Sequence, residues 1–161
     1  MYKAVDIAVA LLKAAHERGL QLTQMQLQKL VYVAHGLSLA TRGLPMINEN
    51  VNAWQYGPVI PEVYHRFKIH GNQNINFYSL PEAQYPQMID AESMNLISIT
   101  LDNFGSLSGG QLSEMSHRSG SPWHSVWFDG CGHEVRGAII SNDLIRQHYQ
   151  QVVNSGVVQC L

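Results

Sequence analysis

The sequence predicts a mainly α protein, a compact helical domain of about six helices with short β elements. Three observations predict it. Apolar residues recur at helical spacing in several separate stretches, polar capping residues stand ahead of those stretches, and Gly or Pro closes most of them. The chain has 161 residues, enough to bury one hydrophobic core without disulfide or metal staples. Hydrophobic residues make up 45% and charged residues 14%, which excludes a disordered composition. No linker divides the chain, so a single domain is expected over 1–161, with 154–161 a candidate flexible tail.

In residues 2–18, Val5, Ala8, Leu11, Leu12 and Ala15 share one helical stripe, and Gly19 supplies a stop. A second helix starts at Thr23, whose hydroxyl and the Gln26 side chain have the spacing of a capping box. Leu22 and Leu27 flank that cap like a hydrophobic staple, and Leu27, Leu30, Val31, Ala34 and Leu37 form the apolar face up to Gly43. Residues 44–60 read as a connection with a short strand at Val51–Gln55. Pro61 suits the first turn of a third helix carrying Val63, Tyr64 and Phe67 to Gly71. The Asn-, Gln-, Pro- and Tyr-rich stretch 72–88 reads as a surface loop with one strand near Ile75–Tyr78. Asp90 caps a fourth helix bearing Met94, Ile97, Leu101 and Phe104. Ser108 and Gln111 repeat the box spacing ahead of Leu112 and Met115, and a short helix follows Pro122 with Trp123, Val126 and Trp127. A turn at 129–133, a short strand at Val135–Ile140 and a last helix from Ser141 to Val153 complete the reading.

The same letters exclude several functions. The formal charge is −2, with Lys and Arg scattered rather than gathered into the basic face that phosphate neutralisation demands, so nucleic acid is disfavoured as a partner. The first residues faintly resemble a signal peptide, but Asp6 interrupts the apolar run. No stretch reaches the ~20 apolar residues of a membrane span. With only Cys131 and Cys160, a reduced cytoplasmic chain is expected, although the two could form one bridge.

Leu107-Ser108-Gly109-Gly110-Gln111 matches the signature of ABC-type ATPases, but the chain has no Gly-Lys pair to form the opposing phosphate loop. A capping box explains the string. His117, His124, Cys131 and His133 are chemically suitable zinc ligands, yet their spacing fits no established pattern and Pro122 breaks the helix between the first two. There is no Gly-x-Ser-x-Gly elbow. What remains is a set of large aromatics in polar, Pro- and Gly-marked surroundings: Trp54, Tyr56, Tyr64, Trp123 and Trp127. Such residues fill cores and also anchor interfaces.

At this point a family resemblance enters. Leu27-Gln28-Lys29-Leu30-Val31-Tyr32 resembles the helix signature of the Panacea domain, the SocA-like antitoxin or GepA phage-associated family. The resemblance continues through Ala53-Trp54-Gln55-Tyr56-Gly57-Pro58-Val59-Ile60-Pro61 and Tyr64, then Leu112-Ser113, His117 and Ser121-Pro122-Trp123, spanning roughly 4–150. It implies an antitoxin that neutralises a toxin encoded beside it by direct protein–protein contact, in one branch as a proteolytic adaptor to a ClpXP-type protease. It implies no enzyme, catalytic residue or cofactor. The partner-binding or signature residues it marks are Gln28, Lys29, Tyr32, Trp54, Tyr56, Gly57, Pro58, Tyr64, His117 and Trp123. Ser116 stands where the family often has Thr, and the Gly130–His133 turn has no counterpart. Physically, Gly57-Pro58 fixes a turn. Lys29 is expected over Trp54 or Tyr56 as a cation–π pair worth ~0.5–2 kcal/mol, and His117 is expected to bond a backbone carbonyl and fix a helix-to-helix corner. The alternative is a small metal-dependent enzyme or nucleotide-binding protein using the His117–His133 stretch.

Overall fold

Helix α2 (Gln24–Arg42) is the axis of the molecule. Thr23 and Gln26 close the expected capping box, and Gly43 ends the helix at φ 67°, a left-handed conformation that suits glycine. From Leu27 to Leu39 every residue of α2 is buried, so it is covered on all sides rather than amphipathic. Helix α1 (Ala4–Glu17) packs against it and buries Ile7, Ala8, Leu11 and Ala15. Tyr2 is not helical, because its backbone N–H bonds the Met46 carbonyl in a bridge to Ile47. The computed structural model describes residues 1–158.

Three short strands form an antiparallel sheet in the order β2-β1-β3: β1 (Val51–Trp54), β2 (Gly57–Val59) and β3 (Ile139–Ile140). β1 and β2 make a hairpin in which Trp54 faces Gly57 across a two-residue bend, and Ala53 faces Pro58. Pro58 lies in an edge strand, the place where a residue lacking N–H is tolerated. The expected strand at Val135–Ile140 is confined to Ile139–Ile140, because Gly132–Glu134 forms a 3₁₀ turn and Gly137 bends the chain at φ 77°. The expected strand at Ile75–Tyr78 is not formed. The Asn76 side chain accepts from the Tyr78 N–H and starts a 3₁₀ turn at Phe77–Ser79, so a local side-chain bond displaces the ladder.

Pro61 opens α3 (Pro61–Phe67), and Asp90 caps α4 (Ala91–Phe104) by accepting from the Ser93 N–H. Ser108 and Gln111 close a second capping box on α5 (Gly109–His117), which accounts for the ATPase-like letters. Ser121 caps the short α6 (Pro122–His124), which runs into a π-helical turn, Ser125–Asp129. Ser141 caps α7 (Asn142–Asn154), which lies against α2. Among the described residues, seven helices and a small sheet thus make the fold mainly α with short β elements. Of the 154–161 stretch, Asn154 closes α7 and Val158 is buried; residues 159–161, and with them Cys160, lie outside the described residues. Among the described residues no helix is long and apolar enough to cross a membrane.

Candidate functional site

The β1–β2 hairpin is held by its main-chain oxygens. Trp123, buried at the start of α6, donates its indole N–H to the Trp54 carbonyl at 2.7 Å. His117, at the end of α5, donates from Nε2 to the Gln55 carbonyl at 3.2 Å, and its Nδ1 lies against the Ser113 carbonyl one turn back. Lys29, reaching out of α2, donates to the carbonyls of Tyr56 at 2.7 Å and Pro58 at 3.0 Å. Ser113 adds a bond to the Tyr56 carbonyl at 3.2 Å. Three helices, α2 from one side in sequence and the neighbouring α5 and α6 from the other, therefore fix four carbonyls of the hairpin between Trp54 and Pro58.

Gly57 makes this clamp sterically possible. Its φ is 104°, and a Cβ there would sit 2.5 Å from Lys29 Nζ and 2.7 Å from Ser116 Oγ. Lys29 itself is only 3% exposed, and burial lowers its pKa from 10.5 to about 7. It has no carboxylate partner among the described residues, so carbonyl dipoles alone solvate it. The expected cation–π pair is therefore replaced by hydrogen bonds; Arg66 over Phe67 is the cation–π contact found among the described residues. His117 does bond backbone carbonyls, but it secures the hairpin. The corner between α5 and α6 is held instead by Ser121 Oγ donating to the Ser116 carbonyl at 2.7 Å.

With its backbone fixed, the hairpin displays its side chains. Tyr56 is 66% exposed at the bend. Trp54 packs edge-on against Tyr64 of α3, ring centroids 5.1 Å apart. Between hairpin, α2 and α3 lies a small groove of about 100 Å³, lined by Met25, Gln28, Trp54, Tyr56, Val59 and Tyr64 together with Gln24 and Lys29. Gln28 is 3% exposed; its Nε2 donates to the Ile60 carbonyl at 3.3 Å, and its Oε1 has no partner.

Nine of the ten marked residues converge here, and Tyr32 does not. It points to the other side of α2, its ring edge-on to Tyr149 of α7 at 5.7 Å. Sequence reasoning gave no role to Met25 or to Ser116, although Ser116 stands one residue before His117. The His117–His133 stretch is dispersed. His124 lies near Asp129, His133 bonds the Trp127 carbonyl at 2.7 Å, and Cys131 is exposed. Among the described residues, no group of three or more His, Cys, Asp or Glu side chains could hold a metal ion.

Fold and site together define a mainly helical domain that clamps and presents an aromatic hairpin. Residues 27–124, which contain the clamp and all of the groove lining except Gln24 and Met25, match the family described as Antitoxin SocA-like, Panacea domain. The chain is also 32% identical over 130 residues to Antitoxin SocA of Caulobacter vibrioides (strain NA1000 / CB15N), covering 74% of this chain and 68% of that protein. No solved structure matches. The chain belongs to the SocA-like antitoxin, Panacea-domain family.

Proposed function

We propose that this chain is a cytoplasmic antitoxin that neutralises a cognate toxin by direct contact through the hairpin face, without turning over a substrate. One observation carries the reading. The bend is rigid at its backbone yet presents an exposed tyrosine beside an apolar, aromatic-walled groove, so little conformational entropy remains to be lost on binding. Rigid Tyr and Trp side chains are the residue types that anchor interfaces. Family membership supports a toxin as the partner, with the adjacent gene as its first candidate source.

Co-expression with the neighbouring gene product, pull-down and a growth-rescue assay test this. Tyr56→Ala is expected to weaken capture by roughly 10- to 100-fold, the range of an interface anchor, while leaving the thermal midpoint within a few degrees, because the clamps grip carbonyls. A neighbour that neither binds nor harms growth defeats the reading. The adaptor form adds that the bound toxin is passed to a ClpXP-type protease, and family membership is its support. It requires toxin half-life in a reconstituted reaction to shorten only when chain, protease and ATP are all present.

A further inference from the structure

A second cavity shares Lys29 with the groove. It encloses about 370 Å³ between α2, α5, α7 and the 118–122 turn, within the range of small-ligand sites. Its wall includes apolar Phe104, Leu112 and Val152 and polar Lys29, Arg118 and His148. Among the described residues no Asp or Glu lines it.

Tyr32 and Tyr149 also face this space, 5% and 6% exposed. Neither hydroxyl has a hydrogen-bond partner among the described residues, and neither is sealed from the cavity, since the buried side-chain atom left unsatisfied is Gln28 Oε1. Buried phenols ordinarily find an acceptor. These two are supplied with none by the described residues, and Arg118 makes no ion pair among them.

We propose that this cavity binds a carboxylate carried on an apolar stem, the anion accepting from the Tyr32 and Tyr149 hydroxyls beside Lys29 and Arg118, the stem lying on Phe104, Leu112 and Val152. The chemistry follows from what is missing. Two phenol donors without a partner among the described residues share one cavity lining with Arg118, and no Asp or Glu is among the described residues that line it; charge-assisted bonds to a carboxylate are the strong kind. The apolar wall excludes a bare inorganic anion as the best fit. An aliphatic acid and the C-terminal carboxylate of a polypeptide ending in an apolar residue share this chemistry.

Calorimetric and NMR titration of the full chain with octanoate, octan-1-ol, and acetyl-Ala-Ala-Leu as free acid and as amide tests the assignment. Octanoate is expected to bind at least tenfold more tightly than octan-1-ol, and the peptide acid at least tenfold more tightly than its amide. Tyr32→Phe, Tyr149→Phe and Arg118→Gln should each weaken the acids about tenfold, a fold-change in keeping with loss of one bond to a charged group. The better of the two acids identifies the source. Equal binding of acid and neutral partner, affinities unchanged in the variants, or no saturation by either acid up to about 10 mM overturns the proposal. Arg118 is exposed, so its variant tests the site even if a tyrosine variant fails to fold. No toxin takes part, so the outcome is independent of the hairpin reading.

Discussion

Lys29 carries its amino group into the protein with two carbonyls and no carboxylate, and the consequence is a pH-dependent stability of unusual sign. Burial sets its folded pKa at about 7, against 10.5 for the free group. Between those values the unfolded chain binds the extra proton, so stability is lowest below about pH 7 and rises as pH climbs through the window, by at most on the order of 4–5 kcal/mol. Above pH 10 the sign reverses, because burial raises the pKa of both Tyr32 and Tyr149, and the unfolded chain then loses its protons first. Urea denaturation from pH 6 to 9.5 should show the rise in the native protein and a flatter profile in Lys29→Met. Gly57 answers the same geometry from the hairpin side. In Gly57→Ala the Lys29 amine and the Ser116 hydroxyl must give way at a backbone φ of 104°, and a loss of about 2–4 kcal/mol is expected in denaturant melts. The sequence marked both residues but not the bonds from Lys29 to the carbonyls on either side of Gly57. An ammonium close to aromatic letters reads as a cation–π pair until the carbonyls beneath it are placed.

Among the elements, those legible in the sequence were the ones whose signals are local. The boxes at Thr23/Gln26 and Ser108/Gln111 use side chains three residues apart, and both formed as read. β2 went unread, because a three-residue strand containing Pro58 has no period of its own and is defined by pairing with β1. At Ile75–Tyr78 the alternation was real, with Ile75 and Phe77 both buried, but only a single bridge, Thr23 to Asn74, forms there. Gln26 also reaches beyond its own helix, donating to the Leu107 carbonyl at 2.9 Å and so tying the start of α2 to the approach to α5. Thr23→Ala should therefore cost about 1 kcal/mol, as caps do, and Gln26→Ala about 2 kcal/mol, since it removes the reciprocal bond and the tie together. Thermal and urea unfolding of the two variants side by side checks the ranking.

In the whole molecule, α7 is docked at a distance no local signal reveals. The Tyr149 ring lies on the bare backbone of Gly36, where an added Cβ would fall within 2.3 Å of Cδ2. Gly36→Ala should lower stability by about 2–3 kcal/mol through overpacking, read as a falling thermal midpoint. Tyr32 meets this docked helix and lines the second cavity rather than the hairpin groove, a placement that no local signal in the sequence carries. The hairpin carries a different consequence. Its anchors seize peptide oxygens, which every amino acid possesses, and ask nothing of the side chains at positions 55 and 56. Those two letters can be rewritten while the scaffold stays upright, so selection for a new quarry could proceed at the bend alone, and a randomised library there should yield folded proteins with altered targets.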